Sequence, residues 1–268
     1  MFISKLLRIK SFYDFHGLAW KEEEYKSNKF KSIFFRFLEN ICLSHYDHIV
    51  SQTETNMNLT MKFNKNCSLI ENGIVSDDFS NPSKNFLLSE YNIDSKSPIV
   101  GFIGNWEHWM KIEDLLEASK YLKNVKIMVV GRGHSFDEYK RKYPNVIFTG
   151  RVRHKEALGF MSCFKVCVSP HSKDEIMIYK SAVKTFEYMA AGKPLIVSNV
   201  AGKENFLVEG VNCLFYEPEN PRSLAEKVEI LLSDEELMTK FSYNNKKLSK
   251  KFTWDKRVQK SGLIELLN

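Results

Sequence analysis

Long apolar runs are missing from this 268-residue chain. Ile33-Phe34-Phe35 and the stretch from Val125 to Val130 are cut by a charge or end within six residues, far short of the roughly 20 apolar residues of a membrane span. The N-terminal MFISKLLRIK has Lys5, Arg8 and Lys10 inside it and so lacks the apolar centre of a secretory leader. Five scattered cysteines, an odd number, form no disulfide framework. These absences predict a cytoplasmic, reducing setting, in which the sequons at Asn58 and Asn66 carry no glycosylation signal. Also missing are a Walker loop and an HExxH motif, while His45-x2-His48 and Cys163-x3-Cys167 lack the second half of a zinc site and read as structural. The net charge of +6 is spread without a block of one sign. That speaks against a nucleic-acid partner, which favours a basic stripe, and fits phosphate ligands or attraction to an anionic membrane surface. Basic and bulky apolar residues interleave from Lys26 to Phe37 (KSNKFKSIFFRF). An amphipathic helix packed on a sheet is preferred here over a membrane-facing one.

What is present is an alternation of strands and helices, the pattern of an open parallel sheet. Residues 2–9 have helical spacing. A strand at 12–15 leads into His16-Gly17, followed by a helix at 29–44, a strand at 48–51, a helix at 53–63 and a strand at 68–71. A polar linker runs to about residue 97. Six strand-like runs then follow, at 99–103, 126–130, 146–148, 166–169, 195–198 and 213–216. Helices are expected between them near 112–122, 135–142, 154–162, 181–191 and 203–208, and at 221–232, 234–249 and 254–267. The expected fold is α/β, with one complete Rossmann-like doubly wound parallel sheet in 77–252. Residues 1–76 form a truncated second Rossmann-like domain, and the helix in 253–268 packs back on it.

The most informative segment is Ser181 to Pro194, SAVKTFEYMAAGKP. Ser181 is suited to N-cap a helix, and Gly192 and Pro194 to end it. Ser181, Lys184 and Glu187 follow at three-residue steps and form a polar stripe, with Val183, Phe186 and Ala190 on another face. A helix N-terminus at the carboxyl end of a strand offers N–H groups and a positive dipole to a phosphate. Lys184 adds a charge there, and Glu187 one turn deeper is able to accept a ribose diol. By spacing alone, an exposed face with a Lys184–Glu187 pair explains the same residues equally well.

FEYMAAGKPLIVS, preceded by Ser181 and Lys184, resembles family 4 of the retaining glycosyltransferases, which have the GT-B fold. DFHGLAWKEEE, HIVS and ENGI resemble the end of that family's acceptor domain. GFIGNWEHW, VVGRG, VIFTGRV, VCVSP, NCLFYEPENP and FTWDKR resemble successive landmarks of its donor domain. The resemblance implies metal-independent transfer from a nucleotide sugar with retention at the anomeric carbon, and no cofactor. It assigns Glu187 to the ribose. The turn from Ser181 through Ala182 and Val183 to Lys184 is assigned to the diphosphate, and Arg151 and Val152 to the base. Gly104 and Asn105 match the first donor loop, and Gly131 and Arg132, with Gly133, the loop after the second strand. His16 matches a histidine facing the donor sugar. Two departures stand out. Asn105 occupies a place where the family often has Arg, and Met110 one where it has Lys or His, so that Lys111 reaches in only through a one-residue shift. Tyr179 also replaces the first acid of the family's Glu-x7-Glu.

Rivals are weaker. Gly131-Arg132-Gly133 begins a dinucleotide fingerprint, but Phe136 stands where Gly or Ala belongs and Arg151 where an acid belongs. Asp77-Asp78 lies in the linker, which deprives a metal-dependent GT-A reading of its motif. The expected function is sugar transfer to a glycan or lipid-linked acceptor, with His16, Lys111 and Lys184 as catalytic groups. The alternative is a nucleotide-sugar-binding remnant or one subunit of a split enzyme. Either way a partner chain, self-association or a membrane surface is expected to cover the short first domain, with donor bound better than it is turned over.

Overall fold

The structure is a computed structural model and describes residues 6–26, 28–75, 89–91, 93, 94, 97–200, 205–262, 264 and 265. The chain divides into two compact units. The first comprises residues up to Gly73, Glu175–Ser181 and residues from Trp254 onward; the second comprises Ile74–Asp174 and Ala182–Thr253.

The first unit has three parallel strands in the order β1 (Phe12–Phe15), β2 (His48–Ser51) and β3 (Cys67–Leu69). Because side chains alternate across a strand, Phe15 and Ile49 point to one face. There they pack with Leu18 and Leu43, from the chain around α1 (Ala19–Tyr25) and from α2 (Lys29–His45). The other face presents Phe12, Val50 and Ile70 to Trp254 and Val258 of α10 (Trp254–Ser261) around a groove of about 460 Å³. Arg257 pairs with Glu71, and Trp254 lies so close to Gly73 that a Cβ there would sit 2.7 Å from its ring. α3 (Glu54–Thr60) is capped by Thr53 and holds the Tyr179 carbonyl through Asn56 Nδ2 at 3.1 Å. α2 packs through Ser32, Glu39 and Leu43. The helix is packed on the sheet as expected, Leu43 meeting Phe15 and Ile49, while Phe30, Ile33, Phe34 and Phe37 are exposed.

The second unit is a six-stranded, wholly parallel sheet in the order β6-β5-β4-β7-β8-β9, made of β4 (Ile99–Ile103), β5 (Lys126–Val130), β6 (Val146–Gly150), β7 (Val166–Ser169), β8 (Leu195–Ser198) and β9 (Cys213–Tyr216). Numbered within the unit this is 3-2-1-4-5-6, the doubly wound dinucleotide-type order. The strands β4, β7 and β8 are buried on both faces, which is why they read as unbroken apolar runs. Val100, Phe102, Ile127 and Val129 pack toward α4 (Ile112–Ala118), α5 (Phe136–Lys142) and α8 (Pro221–Ser233). Ile99, Ile103, Met128 and Val130 pack toward α6 (His154–Cys163) and α7 (Val183–Ala190). α9 (Glu235–Ser249) follows α8 and contributes Phe241 to the first of these layers.

Some expected elements differ. α1, a seven-residue helix of sequence AWKEEEY, was not expected, because three consecutive glutamates leave no apolar period. Residues 205–208 are not helical; the rest of that expected helix, most of the linker and part of the N-terminal helix fall outside the described residues. No disulfide joins the five cysteines.

Candidate functional site

In a doubly wound sheet, ligands bind beyond the carboxyl ends of the strands where the winding reverses. Here that point lies between β4 and β7, whose pairing runs through Val100–Val166 and Gly101–Cys167. Past Gly101 the strands part, and the next N–H on that side of β4, from Ile103, donates instead to the hydroxyl of Tyr188 on α7 at 2.8 Å. Tyr188 thus fixes α7 against the end of β4. Lys184, one turn earlier on the same helix, lies over Gly104. A Cβ on Gly104 would stand 1.9 Å from Lys184 Cε, and one on Gly131 would stand 2.2 Å from the Gly104 carbonyl. Both glycines have φ near +130° (130° and 126°), a backbone that side chains disfavour. The β4 loop, the β5 loop and the lysine therefore pack through two missing side chains.

A cleft of about 550 Å³ opens there. Gly104, Asn105, Gly131, Arg151, Val152, Val183, Lys184 and Glu187 line it, together with Leu158 and Met161 of α6. Lys184 is half-buried, and its ammonium lies 3.9 Å from Met110 Sδ and 5.5 Å from the Phe102 ring centroid. No carboxylate among the described residues comes within ion-pair distance of it. Burial lowers its pKa, and Glu187 only partly opposes this. A lysine held in this way gains from an arriving anion. Behind it, His171 is buried, with Nε2 3.1 Å from Ser169 Oγ and its backbone N–H donating to Ser198 Oγ at 2.8 Å. Burial and then the Lys184 charge hold His171 down at about 3, so the imidazole stays neutral.

Several expected site residues stand elsewhere. Ser181 does not cap α7: the N-cap is Ala182, which has no side-chain acceptor to offer, and neither residue lines the cleft. Arg132 turns away to Asp137 at 2.5 Å and stacks on Phe136. Lys111 occupies the N-cap position of α4 and does not line the cleft; Met110, at the gap-free position, is the residue that touches Lys184. His16 belongs to the first unit, where Asp14 Oδ2 lies 2.9 Å from its Nε2 and Gln52 Nε2 lies 2.7 Å from its Nδ1. The sequence reading missed His154, Leu158 and Met161 of the cleft wall, as well as Tyr188 and His171. Of these only Tyr188, four residues after Lys184 and so on the same helix face, had a signal in its spacing.

The sequence model of the family described as "Glycosyl transferases group 1" matches residues 97–234, more than half of the chain and all of this site. An uncharacterized glycosyltransferase of Methanocaldococcus jannaschii is 30% identical over 162 residues, 59% of this chain and 44% of its own length. The capsular polysaccharide biosynthesis glycosyltransferase CapM of Staphylococcus aureus is 24% identical over 187 residues, 66% of this chain and 47% of its own. The chain thus spans about half the length of these curated relatives. Among solved structures, Anabaena HepE in complex with UDP and glucose superposes with a TM-score of 0.80 at 16% identity, covering 99% of this chain and 73% of that one. This last likeness gives the fold, which is of GT-B type. With the family match extending across the cleft, the chain belongs to the group 1 glycosyl transferases.

Proposed function

We propose that this protein transfers a sugar from a nucleoside-diphosphate donor to a glycan or lipid-linked acceptor, with retention and without a metal ion. The observation that carries the reading is the half-buried Lys184, set over Gly104 at the start of α7 and in one cleft with Glu187 and Arg151. In this reading the diphosphate lies against the first turn of α7, the ribose diol on Glu187 and the base along Arg151 and Val152. Departure of the diphosphate builds negative charge on its oxygens. Lys184 and the positive end of the helix supply the counter-charge that a metal provides elsewhere, and one such preorganised donor contributes about 2.7–4 kcal/mol to transition-state stabilisation. The acceptor hydroxyl attacks from the leaving-group face, so no protein nucleophile is required. His16 and Lys111 keep roles in this proposal only as candidates, His16 toward the sugar and Lys111 toward the phosphates. HepE, solved with UDP, and CapM, named for capsular polysaccharide biosynthesis, support a nucleotide donor and a glycan acceptor. One observation favours a second reading, a protein that binds donor and turns it over slowly: a thioether, Met110, fills the place beside Lys184 where the family puts a second cation.

Calorimetric titration with UDP, GDP and ADP in the presence of EDTA tests donor binding. One of them is expected to bind without metal, and Glu187→Gln to weaken it by about 1.5–3 kcal/mol, the range of a charge-assisted hydrogen bond, at unchanged melting temperature. Strict dependence on Mg²⁺ or Mn²⁺ would overturn metal independence. A variant that melts earlier yet binds as tightly would make Glu187 a residue of the fold and not a ribose ligand. Multiple-turnover transfer by the purified chain separates the first reading from the second.

A further inference from the structure

Two polar groups near the first turn of α7 each lack what the other offers. The Lys184 ammonium carries three N–H donors. Its one hydrogen-bond acceptor among the described residues is Met110 Sδ at 3.9 Å, and a thioether is a weak one. His171, on the segment after β7, is 6% exposed, and its Nδ1 is buried with no hydrogen-bond partner among the described residues. Folded proteins seldom leave a buried polar atom so. The rest of the residue is held fast. Its Nε2 lies 3.1 Å from Ser169 Oγ, which lies 3.4 Å from Oγ1 of Thr185, the neighbour of Lys184. Its backbone N–H is tied to Ser198 Oγ, and that of Ser172 donates to the Trp109 carbonyl at 2.9 Å. In a neutral imidazole the bond made at one nitrogen decides the state of the other. With Nε2–H donated to Ser169 Oγ, Nδ1 keeps its lone pair, the acceptor that the ammonium lacks. The Lys184 charge acts on this ring and helps to keep it neutral.

We propose that His171 is a positioning residue for Lys184: its Nδ1 accepts one N–H of the ammonium when an arriving diphosphate draws Lys184 off Met110. The other two N–H groups then face phosphate oxygens. A ring pinned at Nε2 and along its backbone gives the flexible lysine stem one fixed direction. Being neutral, it does so without cancelling the charge that the phosphates require. The inference rests on the reading of Lys184 as the counter-charge of the diphosphate. The competing role, a piece of the fold acting through Ser169, uses Nε2 and not Nδ1.

Amide replacements separate the two roles, since the Asn amide reaches the place of Nδ1 and the Gln amide that of Nε2. The full chain and its variants are titrated by calorimetry with UDP, GDP and ADP, each below its own melting transition. His171→Phe should weaken the nucleotide that the parent binds by about tenfold or more, the loss of a hydrogen bond to a charged group. His171→Asn should recover most of that loss and His171→Gln little of it. Recovery by Gln alone, or parent-like affinity in His171→Phe, would overturn the proposal. Nitrogen NMR of the ligand-free protein adds a readout that needs no nucleotide. The His171 signals, identified by their loss in His171→Phe, should show an unprotonated Nδ1 and a protonated Nε2, and Lys184→Met should shift the Nδ1 signal. A protonated Nδ1, or a signal indifferent to Lys184→Met, would overturn the proposal as well. A parent that binds none of the three nucleotides would remove the reading of the cleft, while the NMR result would still decide whether Nδ1 addresses Lys184.

Discussion

Glu39 shows how much one buried acid sets at the residue scale. Its Oε1 accepts the Ala19 N–H at the start of α1, and its Oε2 is buried with no hydrogen-bond partner. Burial pushes the carboxyl up to about 7; the Ala19 N–H opposes this and the nearby Glu22 adds to it. In the unfolded chain the group titrates near 4.3. Between those values the folded state binds more protons than the unfolded state, so this group makes stability fall as pH rises from about 4.3 to about 7 and leaves a constant penalty above. Glu39→Gln should keep the bond to Ala19 and remove the penalty, raising stability by about 1–3 kcal/mol at pH 8 and by nothing at pH 4. Melting curves of the two proteins across that range check it; parallel profiles would exclude the assignment. Nothing in the sequence around Glu39 announced its burial, because it follows a run of exposed apolar residues and would ordinarily face water. Lys184 and Glu187 were legible for the opposite reason: three-residue steps put them on one helix face. Arg132 misled because it stands between the two cleft glycines in sequence while its side chain finds Asp137.

Among elements, the strands of the second unit were the easiest to read. IVGFI, KIMVV, VCVS and LIVS are bounded apolar runs with no competing helical period. α1 and the short 3₁₀ turn at Glu175–Tyr179 left no such trace. The start of α7 was misread by two residues, since a serine that could cap a helix is not the residue at which this one begins. The most consequential contact of α7 is also its least visible: the Tyr188 hydroxyl replaces a missing strand partner at the end of β4. Tyr188→Phe should strand the Ile103 N–H in an apolar layer and cost about 1–3 kcal/mol. Urea denaturation measures that loss. If Tyr188 also positions Lys184, the titration with nucleoside diphosphates should show weaker binding by the folded variant. A loss of stability with unchanged affinity would confine Tyr188 to the fold.

For the whole molecule, the sequence reading divided the chain at residues 76 and 253. The structure assigns one further segment, Glu175–Ser181, to the first unit, through Lys21–Glu175, Glu22–Lys180 and the Asn56 contact to Tyr179. No proline or glycine marks that excursion, so composition could not reveal it. The strand order has a consequence for how the protein is made. β4 occupies the middle of its sheet, yet it acquires its second neighbour only when Val166 and Cys167 arrive to pair with Val100 and Gly101. Until then one edge of a fully apolar strand has no partner, so closure of the sheet waits on distant sequence and refolding should be slow. A chain stopped after Cys163 would carry that open edge permanently. It should aggregate on expression, as unpaired apolar strand edges do, whereas the full chain should stay in the supernatant after centrifugation. Equal recovery of the two would mean that the edge is covered by some other route during synthesis.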